Sequence, residues 1–180
     1  MSKVVRLLVL VAAASLLLLA TGCGSDSDEG STTDVTETET TAGNERLTEE
    51  QWAAYEESRD ALQEANATAT AALATCADET TDADALSTCV GDDFTELADA
   101  TADLSDTLTS FEDTVSGACA DALAAFLNYA RPFEATAQEM QTVIDEGNLA
   151  AYPGVSSNLE VAAEGGKEEG AAFEEACAPA

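Results

Sequence analysis

Phe94, Leu97, Thr101, Leu104, Leu108, Phe111 and Val115 alternate at spacings of three and four residues. A helix with this seam carries an apolar stripe along its whole length, and other helices must cover it. That requirement directs the chain to an all-α fold, because a strand would bring alternate residues to one face instead.

The flanking segments repeat the pattern less cleanly. Thr48-Glu49-Glu50-Gln51 matches a capping box and leads directly into Trp52. From there Tyr55, Leu62, Ala65, Ala69, Leu73 and Cys76 follow helical spacing, with Arg59 and Asn66 interrupting the seam. The first helix is therefore expected from Thr48 to about Cys76. Asp78 to Gly91 reads as a connection with a short helical turn over Asp82 to Val90. Gly91-Asp92-Asp93 is expected to stop that turn and cap the second helix. Ser116-Gly117 is expected to turn the chain; if it stays helical, one long helix runs from Phe94 to Ala130.

The third helix carries Cys119, Leu123, Phe126, Leu127, Ala130, Phe133, Ala137, Met140 and Ile144. Pro132 inside it removes a backbone donor and is expected to kink it. Gly147-Asn148 ends it, and Asn148 to Ser157, with Pro153-Gly154, reads as a loop. The fourth helix is expected from Asn158 to Cys177, with Leu159, Ala162, Gly166, Gly170, Phe173 and Cys177 on one side. Its glycines lower intrinsic helicity and allow a neighbour to approach closely. Four helices with short links imply an up-down-up-down bundle.

The cysteines test that order. Cys76 and Cys89 fall at one end of such a bundle, and Cys119 and Cys177 at the other. The topology thus selects Cys76–Cys89 and Cys119–Cys177 from the three pairings that four cysteines allow. There is no CxxC and no histidine in the chain, so zinc is the weaker reading of these residues.

The fifth cysteine, Cys23, belongs to a different pattern. Lys3 and Arg6 precede an apolar run from Leu7 to Ala20, and small residues follow. This is the layout of a signal peptide. The run is about 14 residues, short of the roughly 20 that span a bilayer. Ala20-Thr21-Gly22-Cys23 resembles the lipobox of bacterial lipoproteins. The resemblance covers residues 1–23 and implies cleavage between Gly22 and Cys23, with a diacylglycerol on the Cys23 thiol. It implies a membrane partner through that lipid and a place on the extracytoplasmic face of the cell membrane. Two or more acyl chains hold a soluble domain there stably.

The chain then divides into a signal peptide over 1–22, a lipid-anchored disordered acidic linker over 23–46 and a helical bundle over 47–180. Gly24 to Asn44 is nearly devoid of apolar residues. A flexible chain of this length reaches about 25 Å. Asp26 to Gly30 lacks the later ligands of a calcium loop.

Charge narrows the functional classes. The whole chain carries a formal net charge of -30, with 36 acidic and 6 basic residues. Loss of residues 1–22 removes Lys3 and Arg6 and no acid. Only Arg46, Arg59, Arg131 and Lys167 then remain basic. This excludes ordinary nucleic-acid binding, which needs a basic footprint. Two readings of the acidity stay open: a solvated surface suited to high salt, or a surface that collects cations or a basic partner. Arg59 and Arg131 are each expected to pair with a nearby acid.

Catalytic chemistry finds no foothold in the residue types. Without histidine, Ser-His-Asp and Cys-His arrangements are absent. Gly165-Gly166-Lys167 lacks the spacing of a phosphate loop. Trp52, Tyr55 and Tyr129 read as core at helical spacing in preference to a recognition patch.

The expectation is a non-enzymatic envelope lipoprotein that binds or scaffolds an unidentified envelope protein, without cofactor or dedicated metal ligands. A module that binds or senses divalent cations is the alternative. A carrier of apolar ligands is the weaker one.

Overall fold

A computed structural model describes residues 44–180 apart from Thr81 and Leu149. The signal peptide, Gly22, Cys23 and most of the linker lie outside the described residues. Four helices follow in order: α1 (Glu49–Glu79), α2 (Ala83–Ser110), α3 (Gly117–Asp145) and α4 (Tyr152–Cys177). They form the expected all-α, up-down-up-down bundle. α1 packs on α2, α2 on α3, and α3 on α4. No described helix is long and apolar enough to cross a membrane.

The start of α1 is the expected capping box. Thr48 Oγ1 accepts from the Gln51 amide at 3.2 Å, and Gln51 Oε1 accepts from the Thr48 amide at 3.0 Å. The Gln51 side chain also donates to Thr114 Oγ1 at 2.9 Å. One residue thereby caps a helix and ties it to the α2–α3 turn.

α2 corrects the expected break at Gly91-Asp92-Asp93. The helix begins at Ala83, with the Asp82 carboxylate accepting from the Ala85 amide at 3.0 Å. Leu86 and Val90 are buried in phase with Phe94 and Leu97. Covering this longer seam outweighs one interior glycine, which costs about 1 kcal/mol relative to alanine. The seam from Phe94 to Val115 is buried throughout, and the Thr101 hydroxyl donates to the Leu97 carbonyl at 2.6 Å.

The helix stops at Ser110, ahead of the expected Ser116-Gly117 turn, so Phe111 and Val115 are buried from the connection and not from α2 itself. Gly117 sits at φ +59°, a left-handed conformation that glycine adopts without steric cost. The long-helix alternative is thereby excluded.

α3 runs through Pro132, whose ring is exposed. Proline supplies no amide to the Asn128 carbonyl, and exposed Asn128 leaves that group open to water. The end of α3 is the expected one. Gly147 takes φ +64°, its amide donates to Ile144, and the Asn148 amide donates to Val143. This pair of bonds is a Schellman motif.

α4 corrects a second boundary. It starts at Tyr152, ahead of the expected Asn158. Pro153 lies in its first turn, where a missing amide is harmless and the fixed φ suits a helix. Tyr152 and Val155 are buried, and the Tyr152 ring meets Phe94 edge-on with centroids 6.4 Å apart.

Both disulfides join the expected partners, Cys76–Cys89 and Cys119–Cys177. Their sequence separations are 13 and 58 residues. On a chain-entropy account they stabilise by about 3 and about 4 kcal/mol respectively.

Asn44, the first described residue, is already tied to the bundle. Its amide donates to Thr114 and its carbonyl accepts from Ser116, a short parallel bridge beside Val115. Arg46 Nη1 reaches the Ala178 carbonyl at 2.7 Å, and the Leu47 amide donates to the Cys177 carbonyl at 3.0 Å. Leu47 itself is buried. The entering chain is thus strapped across the end of the bundle that holds Cys119–Cys177.

The glycines of α2 and α4 have opposite uses. A Cβ built on Gly91 meets nothing within 4 Å, whereas one on Gly165 would lie 2.6 Å from Tyr129 Cε1. Gly91→Ala is expected to stabilise by about 0.5–1 kcal/mol through helix propensity. Gly165→Ala forces the Tyr129 ring aside and is expected to lose about 1 kcal/mol net. Guanidinium melts of both variants check the opposite signs. A Gly165→Ala protein at least as stable as Gly91→Ala would contradict the packing described.

Candidate functional site

Three features have chemical character: a half-buried polar cluster between α1 and α4, an acidic groove between α1 and α2, and the cysteines.

α1 and α4 approach through large side chains near the strapped end. Tyr55 is buried, and its ring stacks edge-on with Phe173 at 5.1 Å between centroids. Trp52 lies 5.3 Å from Tyr55, and Phe126 from α3 lies 5.6 Å from Phe173. The Tyr55 hydroxyl donates to Glu174 Oε1 at 2.9 Å. Arg59 Nη1 meets the same oxygen at 3.1 Å, and its guanidinium lies 5.6 Å from the Tyr55 ring centroid. Asp60 takes the other side of Arg59 at 3.0 Å.

Burial, with the Glu174 charge alongside, holds the Tyr55 phenol well above its usual range. Burial works against the Arg59 charge, but its hydrogen bonds to Asp60 and Glu174 prevail and raise its pKa. The cluster therefore consists of a neutral phenol, a fixed cation and the two carboxylates that flank it, all mutually satisfied. It lacks a free base or nucleophile, and its chemistry is that of a clasp. Tyr152, buried at the other end, is pushed up to about 12 by burial, against a hydrogen bond from Ser156 and with help from Glu160.

Of the expected aromatic positions, Tyr55 and Trp52 belong to the core or its edge, and Tyr129 is half-buried against α4. Tyr55 is interior, Trp52 is packed against it, and Tyr129 lies over α4 with its ring at Gly165 and its Cβ at Gly166. Arg131 pairs with Glu112 at 2.8 Å, as its isolation among acids implied.

The groove between α1 and α2 has a volume of about 410 Å³ and is open to solvent. Buried Ala65 and Ala100 and exposed Ala61 line it, and Asp92, Glu96, Asp99 and Asp103 form the α2 wall. Glu64 faces them from α1. The four wall residues recur at spacings of four, three and four, each two residues beyond a member of the buried seam. That stripe was readable in the sequence but was lost among abundant acids. All five carboxylates are exposed. Among the described residues, no group of three or more His, Cys, Asp or Glu is placed to hold a metal ion. Exposed carboxylates in water attract cations weakly and with strong salt screening.

Cys119 and Cys177 are fully buried, and the Cys177 sulfur also contacts the Cys119 carbonyl oxygen at 3.4 Å. Cys76 is buried, but its partner Cys89 is exposed. Gly22 and Cys23 lie outside the described residues. No protein-family model matches the chain, and neither does any curated protein or solved structure.

Proposed function

We propose that the protein is a membrane-anchored lipoprotein whose stapled bundle serves as a non-enzymatic binding or scaffolding module of the cell envelope. The partition of its cysteines carries this reading. Four are joined in pairs inside the bundle, and Cys23 stands alone after a signal-like apolar run. Disulfides of this kind persist in oxidising, exported surroundings, where a lipobox cysteine also has its use. The helices meanwhile present clasps and an open acidic trough, with no histidine anywhere in the chain to serve as base.

In this reading the tether leaves from the strapped end at Asn44. The α1–α2 and α3–α4 turns then point away from the membrane. The partner is a basic or mixed-charge protein surface, which the acidic wall of α2 attracts over distances of about a Debye length. The same wall supports a second reading, a loose reservoir for divalent cations without a coordinated site. A calcium effect on melting that exceeds matched ionic strength would favour it.

Cys23→Ser tests the anchor. The variant is expected to move from the membrane fraction to the soluble extracytoplasmic fraction, with both disulfides and the melting temperature unchanged. Retention on membranes after this change, or turnover of envelope substrates by the purified bundle, would sink the proposal.

A further inference from the structure

The two disulfides differ in what can reach them. Cys119 and Cys177 both have 0% exposure and sit under the strap formed by Asn44 to Leu47. Cys76 is 3% exposed, inside the core cluster with Leu73 and Ala77. Cys89 is exposed on α2, two turns from its start. Among the four, only Cys89 is a solvent-exposed residue, so an external thiolate has its one approach to these disulfides there.

We propose that Cys89 Sγ is a thiol–disulfide exchange site that takes an external dithiol as its reductant, while Cys119–Cys177 is inert to it. The inference does not depend on the anchor reading.

The chemistry balances as follows. A thiolate of the dithiol attacks Cys89 Sγ, a new S–S bond forms, and the Cys76–Cys89 bond breaks. The electron pair leaves on Cys76 Sγ, which takes a proton from water. The second thiolate of the dithiol then displaces Cys89, which is protonated in turn. The dithiol ends as a disulfide, and the protein pair gains two electrons and two protons.

The fold can carry this change. Cys76 becomes a small buried thiol, a form that protein cores accommodate well. α1 and α2 remain packed through Ala69, Leu73, Leu86 and Val90, all within the same core. The released segment is the α1–α2 turn between Glu79 and Ala83. Asp92 and Asp93 lie one helical turn beyond Cys89. Their field favours a thiol carried on a cationic molecule over an anionic one.

The test uses the full folded chain without denaturant. Dithiothreitol is added in a time course, quenched with iodoacetamide and read by peptide mapping. Cys76 and Cys89 should become alkylated at least tenfold faster than Cys119 and Cys177, with helical circular dichroism retained. In a second measurement, cysteamine is the attacking monothiol, and N-ethylmaleimide traps the freed sulfur. The cysteamine adduct should sit on Cys89 and the maleimide on Cys76. Loss of both disulfides together, earlier loss of Cys119–Cys177, or no reduction of the folded protein would overturn the assignment. So would cysteamine on Cys76.

Discussion

Replacing Phe173 with alanine is expected to lower the unfolding free energy by about 3–5 kcal/mol, a large share of the 5–15 kcal/mol typical of a domain. The side chain has 0% exposure and fills the junction of α1, α3 and α4 between Tyr55 and Phe126. α4 has few other anchors. Between Ser156 and Phe173 none of its residues is fully buried, so its hold on the bundle is concentrated at its two ends. Loss of the ring leaves a cavity that Tyr55 cannot collapse into, because its hydroxyl is held by Glu174. Guanidinium unfolding should show a lower midpoint with an unchanged slope. Val161→Ala, at a site 72% exposed, should stay within about 0.5 kcal/mol of the parent. Comparable effects at the two positions would mean that α4 is not held in this way.

Most of the architecture could be read from local chemistry. The Phe94–Val115 seam, the Thr48–Gln51 box and the Gly147-Asn148 stop each carry their own physical cause within a few residues. The disulfide partners followed from topology, since antiparallel order brings each pair to one end.

The errors came where a local signal had two meanings. Gly91-Asp92-Asp93 looks like a stop and a cap, but Leu86 and Val90 are in phase with the following seam. Pro153-Gly154 looks like a loop, but proline is well tolerated in a first helical turn. In both cases the longer-range gain from burial decided the outcome.

The remaining features depend on contacts between residues far apart in the chain. Glu174 is one of 36 acidic residues, and only the fold brings it to Tyr55 and Arg59. The strap at Asn44 and Leu47 is held largely by main-chain hydrogen bonds to Thr114, Ser116 and Cys177, which side-chain patterning does not encode. The open groove depends on the relative placement of α1 and α2, although its acidic wall has a visible period.

The strap also determines how the two staples should differ in worth. Removing Cys119–Cys177 as a double alanine variant is expected to cost about 4 kcal/mol or more, against about 3 kcal/mol for removing Cys76–Cys89. Part of the gap is loop length, 58 residues against 13. The rest is position. Cys177 is the last residue of α4, and its carbonyl receives the Leu47 amide. Cys119 lies in the first turn of α3, just beyond the bridge between Asn44 and Val115. One covalent bond therefore pins the C-terminal end of α4, the α2–α3 turn and the entering strap. Without it, the last turn of α4 frays, Leu47 loses its partner, and the Tyr55–Phe173 contact nearby loosens. Cys76–Cys89 closes a hairpin whose helices already pack along their lengths. Guanidinium titration of both double variants, each carrying Cys23→Ser, measures the difference directly. Hydrogen exchange should locate the larger loss at Leu47 and the last turn of α4. If the Cys76–Cys89 variant proves the less stable, the mechanical centre of the bundle lies at its other end.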